Sequence, residues 1–212
     1  MKRSITYFLF FALVCFAQNS YSQLQKGNIL LGGSIGLGNS EYKILSSSPS
    51  NFGTQKTFSF NFNPEISYLL FERLSLGIVF PLSYSRTKFS DIDPTSKSTT
   101  YAVGPKLRYY FPFANWAVFP EVHYTLGRQM HKFSNYSFTS GSLEDQKATT
   151  KTNNLKVGVG LAYFINRHVG IEGVFSYQKN EFDNEDFFGP DTETTSINFN
   201  IGLQVYLGKK EE

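Results

Sequence analysis

Eight stretches of this chain alternate residue by residue between apolar side chains and small or polar ones. Their cores are 29–37, 58–68, 74–84, 101–111, 116–126, 155–165, 169–177 and 197–207. The clearest reads Phe58-Ser59-Phe60-Asn61-Phe62-Asn63. Successive side chains of a strand point to opposite faces, so a period of two predicts strands with one apolar face. Each core has 9 or 11 residues. A tilted strand needs ~9–11 residues to cross a bilayer.

Alternate residues, counted from the start of each core, give 46 positions, of which 41 are apolar or aromatic. The other five are Gly33, Pro64, Pro105, Pro120 and Gly173, so this face carries no charge. The complementary 38 positions are mostly Gly, Ser, Asn and Ala, with six charges. Two closed all-β arrangements suit such strands. One is a transmembrane antiparallel up-and-down barrel, apolar outside and polar within. The other is a secreted lipocalin-like barrel that turns the pattern inside out. Three features favour the first. A soluble surface carries roughly 25–35% charged residues, far more than six in 38. The polar face has eight glycines, which suit a crowded interior. The apolar face is also too large and too aromatic to line one small cavity.

Composition agrees. Charged residues make up 17% of the 212 residues, against about 25% in soluble domains. Aromatics are another 17%, with 22 Phe and 13 Tyr, which argues against disorder. The net charge of +3 gives no support to nucleic-acid binding. Beyond the first residues no stretch reaches the ~18 consecutive apolar residues of a membrane helix. Residues 1–22 read as a secretory leader. Lys2 and Arg3 precede an apolar run from Ile5 to Ala17, and Ser20 and Ser22 stand at −3 and −1 of a cleavage site. The only cysteine, Cys15, lies in that run after Leu13 and Val14, which do not make a lipidation signal. Residues 23–212 then form one domain that leaves the cytoplasm without a disulfide.

The connections are asymmetric. Those after the second, fourth and sixth cores are short, about 69–73, 112–115 and 166–168. Those after the first, third, fifth and seventh span about 20, 16, 28 and 19 residues. Short periplasmic turns and long extracellular loops are the outer-membrane arrangement. Aromatics mark both ends: Tyr68, Tyr109, Phe111, Trp116 and Tyr163 beside the short turns, and Phe58, Tyr84, Tyr101, Tyr124 and Tyr177 beside the long ones. Two such belts are expected at the two membrane interfaces.

In these features the chain resembles the eight-stranded outer-membrane β-barrels, the porin-like family of the OmpA transmembrane domain and OmpX, over about residues 24–208. One local match adds to the resemblance. The last strand of such proteins carries an assembly signal, matched here by Asn200, Gly202, Val205 and Leu207. The family's terminal aromatic is absent, since the chain ends in two lysines and two glutamates. The resemblance implies insertion by the outer-membrane assembly machinery. It also implies contact with outer-membrane lipid and lipopolysaccharide.

The six inward charges balance: Glu65, Glu121 and Glu172 against Lys106, Arg108 and Lys156. An eight-stranded barrel is just wide enough inside for side chains to fill it. These residues are therefore expected to form an ion-pair network that plugs it, with a narrow ion path as the alternative. His123 faces inward beside Glu121 and joins the expected network. A lipid-modifying enzyme needs its nucleophile and base at the lipid rim. The outward face offers no Ser, His, Asp or Glu, so no catalytic site is expected. His131 and Ser134 fall in the third long loop and His168 in a short turn, without metal-ligand spacing. The fourth long loop, 181–193, holds six carboxylates that do not follow calcium-loop spacing. Its Phe182, Phe187 and Phe188 are candidates for packing on the rim or meeting an extracellular partner. No cofactor is expected. The role read here is structural or interactive, with a narrow conduit and a secreted carrier as rivals.

Overall fold

The computed structural model describes residues 22–42, 55–89, 95–137, 142–183 and 192–208. Among these residues ten strands form one antiparallel sheet. They are β1 (Ile29–Tyr42), β2 (Gln55–Phe71), β3 (Leu74–Val79), β4 (Leu82–Phe89) and β5 (Thr95–Tyr109), then β6 (Phe111–Phe113), β7 (Trp116–Ser137), β8 (Ser142–Phe164), β9 (Val169–Asp183) and β10 (Thr192–Leu207).

These ten segments make eight staves. β3 and β4 keep one register against β2 and against β5, from Glu65↔Val79 to Phe62↔Leu82 and from Val79↔Gly104 to Leu82↔Tyr101. Backbone bonds carry the ladder over the break at Phe80 and Pro81: Phe80 N–H donates to the Pro64 carbonyl at 2.9 Å, and Ala102 N–H to that of Pro81 at 3.0 Å. The break is a proline effect, since Pro81 has no N–H to give. β5 and β6 likewise continue one line against β7, from Arg108↔Glu121 to Phe111↔Val118. All eight alternating cores thus lie on staves.

Each stave pairs with its neighbours in chain order, and β1 meets β10 to close the ring. That seam is short. Ile29–Ile35 pairs with Ile201–Leu207, seven residue pairs, whereas β1 pairs with β2 over fourteen. Beyond the seam β1 follows β2 alone up to Tyr42.

The apolar face points outward along every stave. Leu37, Phe60, Ile78, Val103, Leu126 and Phe199 are among the exposed large side chains. This is the reverse of the lipocalin-like arrangement. Both sets of aromatic residues at the strand ends face outward too. Trp116 packs on Tyr163 at 4.6 Å between ring centroids, and Tyr109 meets Phe111 edge-on at 4.8 Å.

The long connections are shorter than the sequence pattern predicts. Strand pairing in the β7–β8 hairpin runs on to Ser137↔Ser142, so most of the 28 residues between those cores are sheet. His131 and Ser134 lie in β7, not in a loop. Glu181 to Asp183 belong to β9, and Thr192 and Glu193 to β10. Above the lipid both faces of a strand meet water, so the alternation that marks it fades while its backbone bonds continue. Phe187 and Phe188 lie outside the described residues, as do residues 1–21 of the expected leader.

Candidate functional site

The barrel interior is stacked in three levels. At the short-turn end is an apolar floor. Leu30, Leu69, Tyr110, Phe119, Phe164 and Tyr206 are buried there, and Leu24 of a 3-10 turn (Ser22–Leu24) tucks in beneath them. Tyr110 and Phe119 lie 5.3 Å apart between ring centroids, and Phe164 and Tyr206 5.4 Å. The turns lock onto this floor: Arg73 N–H donates to the Leu24 carbonyl at 3.0 Å, and Tyr206 N–H to that of His168 at 2.7 Å. The inward positions read as Gly, Ser, Asn and Ala on average, and that average hides the aromatics gathered at one end. Their signal is positional: Tyr110, Phe119 and Phe164 sit on inward positions beside short turns, and Tyr206 sits on one at the end of the last strand.

Above the floor lies an ionic level. The strand phase turns Glu65 of β2, Lys106 and Arg108 of β5, Glu121 of β7 and Glu172 of β9 inward, and the closed ring brings them together. Arg108 is the hub. Its Nη2 and Nε donate to Glu121 Oε2 at 2.8 and 3.2 Å. Its Nη1 donates to Glu172 Oε2 at 2.8 Å and Oε1 at 3.0 Å. Its Nη2 is 3.6 Å from Glu65 Oε1. Lys106 Nζ lies 3.0 Å from Glu121 Oε2 and bonds to Glu65.

The ionic level is tied to the floor. Arg108 Nη1 donates to Tyr110 Oη at 2.8 Å, and Tyr206 Oη donates to Glu172 at 3.2 Å. The Arg108 guanidinium also lies 4.0 Å from the centroid of the Phe119 ring. A planar guanidinium can hold carboxylates at its edge while stacking a ring on its face, which an ammonium cannot do.

His123 and Lys156 stand one step higher, paired across β7 and β8. Neither makes an ion pair with these carboxylates within 4.0 Å. His123 Nδ1 has no hydrogen-bond partner among the described residues. Both residues border two spaces. Below is a void of about 20 Å³ among the ionic residues, room for about one water. Above is a cavity of about 260 Å³ toward the long-loop end, walled by amides and hydroxyls. Sequence reasoning missed this upper cavity. The run of inward Asn and Ser on β2 and β10 is its signature.

The other candidate residues are dispersed. Asn200 points inward and lines the cavity, and Gly202, Val205 and Leu207 pair with β1 across the seam. At the outer rim Lys179 Nζ lies 2.9 Å from Glu193 and 3.0 Å from Glu181, and these bonds raise its pKa. Partial burial lowers that of His131 below its ordinary 6.5. His168 lies in its turn with Nδ1 3.3 Å from the Tyr206 carbonyl oxygen. Among the described residues no three His, Cys, Asp or Glu side chains gather in a metal-holding group.

None of the curated proteins compared matches the chain. Several solved outer-membrane proteins are similar in part. OprG from Pseudomonas aeruginosa is 12% identical with a TM-score of 0.46, over 90% of this chain and 100% of that one. Neisserial surface protein A is 18% identical with a TM-score of 0.41, over 85% and 97%. Ail of Yersinia pestis is 14% identical with a TM-score of 0.39, over 86% and 100%. Residues 8–205 match the family described as outer membrane protein beta-barrel domain, and with that match over most of its length the chain belongs to this family of outer-membrane barrels.

Proposed function

We propose that the protein is a plugged outer-membrane anchor, which holds its long-loop hairpins outside the cell and conducts no solute through its lumen. The observation that carries this reading is the pair of filled levels, ionic on apolar. Every carboxylate of the ionic level is held by Arg108 or Lys106, and the floor beneath is closed by aromatic rings. An ion crossing this stack would have to break buried pairs and then part packed rings. The role is non-enzymatic. Its partners are lipopolysaccharide around the barrel and an extracellular molecule at the hairpin tips. The leader is removed after Ser22, and the assembly machinery reads Asn200, Gly202, Val205 and Leu207 on the last strand.

Planar-bilayer recording tests the plug against a narrow conduit. The purified protein is expected to give no steady current. The triple variant Tyr110→Ala/Phe119→Ala/Tyr206→Ala, which removes three rings of the floor, is expected to pass small, unstable currents. Steady single-channel conductance from the unaltered chain would reject the plug.

A further inference from the structure

The upper cavity has the chemistry of a binding site. Its wall is rich in carboxamides, among them Asn61, Gln178, Asn198 and Asn200. A carboxamide has both donors and an acceptor, the combination that a sugar hydroxyl needs, and Gln178 and Asn198, which bond to Asn180, Ser196 and each other, still keep acceptor lone pairs. Pro81 and Phe182 add apolar patches against which the C–H face of a sugar ring can lie. The volume, about 260 Å³, is just below the ~300–1,000 Å³ of pockets for drug-sized ligands, which limits the occupant to about one sugar ring.

The floor of the cavity supplies a charge. Lys156 is 7% exposed and lines the cavity. The three carboxylates below it are already bonded to Arg108 and Lys106. Lys156 itself has no hydrogen bond and no carboxylate within 4.0 Å among the described residues. A buried ammonium with three donors and no acceptor is costly unless something accepts from it. His123, 6% exposed, stands beside it with Nδ1 unpartnered.

We infer that the cup binds a monosaccharide-sized polyhydroxylated anion, its acid group on Lys156 and its hydroxyls on the amide wall. A sugar bearing one acid group, carboxylate or phosphate, fits both halves of the site. An inorganic anion leaves the amide wall unused, and a neutral sugar leaves Lys156 without an anion. This inference is separate from the plug, because binding is read by heat whether or not the lumen conducts.

The test is isothermal titration calorimetry of the folded full chain in detergent with glucuronate, gluconate, glucose 6-phosphate, glucose and inorganic phosphate. At least one of the three sugar acids is expected to bind saturably, with glucose and inorganic phosphate at least about tenfold weaker. Lys156→Gln is expected to weaken that binding at least about tenfold, as for loss of a charge-assisted hydrogen bond. Asn198→Leu, which leaves the interior charges untouched, serves as a second variant and is expected to do the same by filling the wall. A uronate-ended tetrasaccharide separates two sources of the same chemistry. Tighter binding than the free acid assigns the cup to a polysaccharide end, and weaker binding assigns it to the free acid. The proposal is overturned if no sugar acid binds, if glucose binds as tightly, or if a folded Lys156→Gln or Asn198→Leu protein binds unchanged.

Discussion

Arg108 serves three carboxylates, a phenol and an aromatic face at once. Such a hub stabilises less by its own attraction than by preventing what its absence would leave. Without it Glu172 keeps only the Tyr206 hydroxyl, and Glu121 relies on Lys106. Removing one partner of a buried ion pair costs roughly 3–5 kcal/mol, because the other charge remains buried without compensation. Arg108→Leu is therefore expected to lose about that much in urea unfolding followed by tryptophan fluorescence. Arg108→Lys should lose less, since it keeps the charge but not the fork or the stacking on Phe119. Unchanged stability in Arg108→Leu would sink the role of Arg108 as the hub.

At the level of the strand, β5 and β7 meet in an unusual way. Their pairing passes from Val103↔Leu126 to Lys106↔His123 and skips Gly104 and Pro105. Pro105 has no N–H to donate. Gly104 allows a close approach: a Cβ there would run into the Tyr124 carbonyl oxygen and stand 2.7 Å from Thr125 Cα. Backbone cannot swing aside as a side chain can, so Gly104→Ala must push the two staves apart. An overpacking cost of about 1–3 kcal/mol in the same urea assay is expected. The strands also show what the sequence made legible. Lipid makes one demand at every outward position, so the membrane-crossing cores are written plainly. In β7 and β8 beyond the lipid there is no such demand, and His131 and Ser134 read as loop. Interior contacts depend on stagger between distant staves. That Arg108 meets Glu172, 64 residues away, follows from ring closure and not from any local spacing.

For the molecule as a whole, the closed sheet predicts resistance to detergent. After cell fractionation the protein is expected with the outer membrane. On electrophoresis the unboiled sample should run apart from the boiled one, because the ring survives until heat opens it. Recovery in the soluble periplasmic fraction would contradict the outward apolar face. The seam between β1 and β10 has a further consequence for how the ring is made. Every other pairing joins neighbours along the chain and can form by local zipping. The seam instead unites Ile29 with Leu207, nearly the whole folded length apart, and rewards that search with only seven residue pairs. Loop closure makes such a contact slow to find, and until it is found both outer strands remain unpaired templates for other chains. The commitment step of the barrel therefore falls on its shortest joint. Its lifetime as an open, sticky sheet is set by how soon its two ends are handed to each other.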